Sequence, residues 1–129
     1  MAVIERFEDI DGWKKARELT KAIYKVTSSG DFARDYGLRD QVRRASVSIM
    51  SNIAEGFERG GNKEFLQFLA MAKGSAGEVR AQLYVALDAN FLSQSEFNQL
   101  YRLAEEASRL VSGFMNYIAN SDYKGNKFK

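Results

Sequence analysis

The sequence predicts an all-α protein, an antiparallel up-down four-helix bundle, and three observations carry that expectation. Apolar residues recur at a helical period through four long segments. Short breaks rich in glycine or polar residues separate them. The 129 residues include no proline, the residue that removes a donor and clashes inside helices.

The first segment runs from about Asp9 to Ser28. Trp13, Ala16, Leu19, Ile23 and either Val26 or Thr27 fall on one stripe, and Ser28-Ser29-Gly30 ends it. A second segment starts near Tyr36-Gly37-Leu38 and continues to Glu58, with Leu38, Val42, Ala45, Ile49, Ile53, Gly56 and Phe57 inward. Arg59-Gly60-Gly61-Asn62 breaks the pattern, and Asn62 suits the N-cap of the next helix.

The third segment spans roughly Lys63 to Ala89, with Phe65, Leu66, Leu69, Ala72, Ala76, Val79, Leu83 and Ala86 inward. Gly74 and Gly77 interrupt it at a cost of about 1 kcal/mol each against alanine. Close approach by another backbone is the expected compensation, with a local kink as the alternative. The fourth opens with Ser93-Gln94-Ser95-Glu96, a capping box in which Ser93 and Glu96 satisfy each other's backbone donors. It runs to about Asn120, with Phe97, Leu100, Leu103, Ala107, Leu110, Phe114 and Ile118 inward. Short connections between long helices favour antiparallel neighbours. Residues 1–120 therefore read as one bundle domain and 121–129 as a flexible basic tail carrying Lys124, Lys127 and Lys129.

Composition excludes much chemistry. There is neither cysteine nor histidine, which removes disulfides, the usual zinc sites and histidine-based catalysis. Carboxylate-only chemistry stays open. No Gly-rich phosphate loop follows a strand, since Gly60-Gly61-Asn62-Lys63 lacks the Walker spacing. Ser121-Asp122-Tyr123-Lys124 fits Ser-x-x-Lys only by chance. The expectation is a protein that is not an enzyme, with no metal, cofactor or catalytic residue. No window approaches a membrane span and the N-terminus lacks a signal-peptide core, so the cytoplasm is the expected location.

Net charge is +2 with a pI near 8.9, so only a local patch can attract nucleic acid. Arg39, Arg43 and Arg44 form the densest basic cluster within a helix, and Lys14 and Lys21 belong to a cationic face on the first. Phosphate contact is the functional reading; a solvated face with an Asp40–Arg44 pair is the plainer one. Gln41, Arg44, Ser48, Asn52, Glu55 and Arg59 share an arc that borders the apolar stripe. A polar network bonding a neighbouring helix explains it more simply than a ligand site does. Val47, Met50 and Ala54 sit well off the core stripe, which suggests an oligomer interface; scattered surface apolar residues are the plainer reading.

Phe7-Glu8-Asp9-Ile10-Asp11-Gly12-Trp13-Lys14, then Tyr36-Gly37-Leu38-Arg39-Asp40-Gln41, then Ser48-Ile49-Met50-Ser51-Asn52-Ile53-Ala54-Glu55-Gly56, and finally Lys63-Glu64-Phe65-Leu66 are familiar stretches. Together they resemble the four-helix bundle proteins encoded in the intervening sequences of bacterial 23S ribosomal RNA genes, from about residue 5 to 120. That family usually carries proline where this chain has Met50. The resemblance implies a ring-shaped homopentamer without enzymatic activity. It also brings in a relative, the accessory protein of diversity-generating retroelements, a more basic chain that binds nucleic acid and a reverse transcriptase. Partners implied are other copies of the chain, and RNA or a nucleic-acid-associated protein; no membrane role is implied. The alternative is a protein-only interaction module.

Overall fold

Helix boundaries follow from local chemistry. The Asp35 carboxylate accepts from the Leu38 amide at 3.0 Å and starts one long helix, and Gly60, at φ 89°, ends it in the left-handed region where glycine is free of strain. Ser93 and Glu96 form the capping box, with Glu96 N donating to Ser93 Oγ at 3.1 Å and Ser93 N to Glu96 Oε1 at 2.8 Å. The N-cap before the third long helix is Gly61. Asn62 is already helical, which corrects its expected capping role.

The computed structural model describes residues 4–121. A single 3-10 turn, Phe7–Asp9, precedes α1 (Asp11–Val26), α2 (Gly30–Arg34), α3 (Tyr36–Arg59), α4 (Asn62–Asp88) and α5 (Gln94–Ala119). The four long helices lie within two residues of the expected segments. The tail over 121–129, with its lysines and its Ser-x-x-Lys match, lies outside the described residues apart from Ser121.

Each long helix packs on two others, α1 on α3 and α5, and α4 on α3 and α5. Partners run in opposite directions. From Ser48 opposite Ser75 to Arg59 opposite Glu64, one index rises as the other falls along α3 and α4. Tyr84 meets Phe97 and Phe65 meets Phe114 in the same sense between α4 and α5. The bundle is all-α, antiparallel and up-down.

Leu19, Ile23, Ile49, Ile53, Leu69, Val79 and Leu83 are fully buried, and full burial of such a side chain is worth about 1.5–3 kcal/mol. Gly56 holds α3 close to α4: a Cβ there would sit 2.7 Å from Phe68 Cβ and 2.8 Å from Phe65 Cδ1.

Three expectations need correction. Leu110 is 37% exposed, and Ala104 and Val111 carry that part of the α5 stripe instead. The break after α1 contains a further short helix, α2, whose Phe32 is buried and stacks on Phe91 at 5.4 Å. A five-residue amphipathic turn is too short for periodicity to reveal. At Gly74 no atom lies within 4 Å of an added Cβ. The expected close backbone therefore does not come from this chain.

Candidate nucleic-acid interface

The three clustered arginines diverge, because consecutive helical residues point about 100° apart. Arg43 turns toward α1. Its Nε donates to Thr27 Oγ1 at 2.7 Å, Nη2 donates to Ser28 Oγ at 3.3 Å, and the guanidinium lies 4.4 Å from the Tyr24 ring centroid. Thr27 is fully buried and also donates to Ile23 O at 2.7 Å. Threonine thus takes the last inward position of α1, and Val26 does not.

Arg39 is bound locally. Its Nε meets Asp40 Oδ1 at 2.9 Å, and Nη1 donates to Ala33 O at 3.1 Å. The expected Asp40–Arg44 pair is therefore replaced by Arg39–Asp40. Arg44 points the other way, into a shallow groove between α3 and α4 with Gln41, Ser48, Glu78 and Gln82. The cluster legible in the sequence is thus three sites in space.

A different cationic array forms on α1. Lys14, Arg17, Lys21 and Lys25 follow at steps of three, four and four residues and are all exposed. This spacing makes them one ridge on the helix surface. Lys14 has Asp11 at 3.9 Å, and Arg17 lies 5.9 Å from the Trp13 ring. Arg17, Lys21 and Lys25 make no ion pair with any described residue. Glu18, the acid beside the ridge, bonds Lys15 at 3.1 Å. That bond is the main reason the Lys15 ammonium sits above its ordinary pKa, with Glu106 adding to it. Lys14 and Lys21 therefore share a face with Arg17 and Lys25, while only Arg43 of the arginine cluster borders it.

The polar arc of α3 separates into two groups. Ser48 Oγ and Ser75 Oγ are 2.9 Å apart, and Asn52 Nδ2 donates to Ser48 Oγ at 3.0 Å and Ser48 O at 2.9 Å. One turn on, Arg59 bridges Glu55 at 2.7 Å and Glu64 at 3.0 Å, which holds its guanidinium above the ordinary arginine pKa. Gln41 bonds neither group and lies exposed in the Arg44 groove. Both groups tie α3 to α4. Ser75 is the member that sequence reasoning missed, since its small-residue neighbourhood carries no polar signal.

Val47 is 39% exposed, whereas Met50 is half-buried against the core and Ala54 is half-buried. Positions 43, 47, 50 and 54 continue the flank of α3 that Arg43 directs toward α1. Among the described residues, no group of three or more Asp or Glu is arranged to hold a metal. No described helix is long and apolar enough to cross a membrane.

The model of the 23S rRNA-intervening sequence protein family matches residues 8–113. A solved structure from Bacteroides thetaiotaomicron, described as a protein of unknown function from the S23 ribosomal protein family, is similar at a TM-score of 0.73 and 19% identity. The similarity covers 81% of this chain and 97% of that one. A search of curated proteins finds no match. The chain belongs to the 23S rRNA-intervening sequence protein family.

Proposed function

We propose that this member of the 23S rRNA-intervening sequence protein family is a non-catalytic, self-associating scaffold that takes RNA along the outer face of α1. The supporting observation is the ridge of Lys14, Arg17, Lys21 and Lys25, bordered by Arg43 and Tyr24. A ridge of cations follows a phosphate backbone without reading bases, so affinity falls steeply with salt. A ring of five copies, which the family resemblance implies, would present a weak ridge five times and raise apparent affinity without new contacts. A cytoplasmic location suits such a partner.

Fluorescence anisotropy of a labelled ribosomal-RNA fragment, titrated at low and near-physiological salt, tests this reading. Saturable binding that Lys21→Glu and Lys25→Glu together abolish is expected. Binding unchanged in that variant removes RNA from the α1 face. Both lysines are exposed and make no ion pair with a described residue, so they are cleaner probes than Arg39 or Arg43.

A second reading, a protein-only interaction module, is favoured by the solvent face of α4. Met71 is 48% exposed and Val85 53%, beside Ala70, Gly74 and Ala81. On that reading RNA leaves both the assembly and its partners unchanged.

A further inference from the structure

Antiparallel packing sets the start of α1 beside the last turns of α5, where a Cβ at Gly12 would lie 3.2 Å from Val111 Cγ2. A groove of about 680 Å³ opens there, between the 3-10 turn, the start of α1 and α5. Clefts that hold ligands measure roughly 300–1,000 Å³. The α5 side of the groove is apolar: Leu110 and Tyr117 are large side chains left exposed, and Tyr117 stacks on Phe114 at 6.0 Å. Between them Gly113 leaves open space, with no atom within 4 Å of an added Cβ.

The other side is acidic. Glu5, Asp9 and Asp11 line it against one cation, Lys14. Glu5 makes no ion pair with a described residue. The Asp9 carboxylate accepts only from the backbone amides of Glu5 and Arg6, at 3.2 Å each. Asp11 meets Lys14 at 3.9 Å. Negative charge thus lies uncompensated beside exposed apolar surface.

The continuation of α5 matches both features. Residues 122–129 carry Lys124, Lys127 and Lys129 against Asp122, and two aromatic residues, Tyr123 and Phe128. The helix closes at Ala119, within one turn of Tyr117. Leu110 lies roughly 16–17 Å back along the axis from Ser121, at ~1.5 Å per residue. The seven residues from Ser121 to Phe128 can span ~23–25 Å, so the segment reaches the whole groove. A short tether holds it at an effective concentration on the order of mM, and modest contacts then suffice to seat it.

We infer that residues 122–129 turn back into this groove of their own chain, the aromatic residues against Leu110 and Tyr117 and the lysines along Glu5 and Asp11. Seated so, the segment clasps the end of α5 to the start of α1. The inference is independent of RNA and of the number of copies in an assembly.

The chain has no cysteine, so introduced thiols report the position of the segment directly. A disulfide needs Cα atoms roughly 4.4–6.8 Å apart. Asn126→Cys keeps every lysine and aromatic residue. Paired with it, Gly113→Cys places a thiol in the groove, whereas Ala119→Cys places one on an exposed position about 240° further round α5. A segment with no preferred site closes the shorter loop, to position 119, at least as readily.

Under mild oxidation the pair at 113 and 126 is expected to close within one chain several-fold faster than the pair at 119 and 126, with the closed monomer read by gel mobility and mass. Glu5→Lys should remove most of that advantage and leave the melting temperature unchanged. Equal or slower closure at 113 overturns the inference. Covalent dimers in place of closed monomers overturn it too, since the groove then takes the segment of a neighbouring copy. An advantage at 113 that neither Glu5→Lys nor raised salt reduces overturns recognition by charge.

Discussion

α1 and α4 bury equivalent stripes and differ almost entirely in what they show to solvent. Leu19 and Leu69 are both fully buried, as are Ala16 and Ala72. Outward, α1 presents four cations in one line, and α4 presents Ala70, Met71, Gly74, Ala81 and Val85. The inward stripes answer to one requirement, exclusion of water from a shared core. The outward faces are under no such constraint, so they are free to diverge.

The comparison is most severely tested at its common half. Leu19→Ala and Leu69→Ala should each cost about 2–5 kcal/mol in urea denaturation, with equal m-values. A loss confined to one helix would break the equivalence of the two stripes. Next comes a contrast within the glycines. Gly56→Ala should destabilise by about 1–3 kcal/mol, because its Cβ would meet Phe65 and Phe68 inside van der Waals contact. Gly74→Ala, with open space around it, should stabilise an isolated bundle by about 1 kcal/mol.

Changes on the outer face of α1 should leave the fold alone. Lys21→Glu is expected to alter stability by less than about 0.5 kcal/mol. It should also lower the salt slope of RNA binding by about 1. Uniform loss of stability across the ridge would mean that the cations hold the fold and have no separate role.

The smallest effect is alkaline. The Tyr84 phenol is raised above its ordinary value of 10.0, first by its hydrogen bond with the Tyr101 hydroxyl and then by its electrostatic interaction with that group. The protonated form is favoured in the folded state, so its contribution is complete below pH 10 and declines as pH rises through the folded pKa. Tyr84→Phe should flatten the fall in melting temperature above pH 10, with little change at pH 7.

Most of the fold was legible because the core stripes obey a strict period. Val42, Ala45, Ile49 and Ile53 on α3 and Leu69, Ala72, Ala76 and Val79 on α4 follow that period and are buried. The capping box at Ser93 was equally plain, since it needs only two residues at a fixed spacing. At Leu110 two apolar lines run side by side on α5, and burial selects the line through Val111. The candidate site was less legible. Adjacent arginines in sequence suggested one patch, yet a rotation of about 100° per residue sent Arg43 to α1 and Arg44 to the α4 side.

The sequence by itself determined the four helices, their inward faces and the class of chemistry left out, because those depend on period, capping and residue type. Only tertiary structure decided which polar groups belong together. Ser48 found Ser75 twenty-seven positions away, and Arg43 found Tyr24 and Thr27 on another helix. It also decided that Gly56 is crowded and Gly74 open. Two glycines alike in sequence differ in space because packing is set by the distance of the neighbouring backbone, which no local pattern encodes.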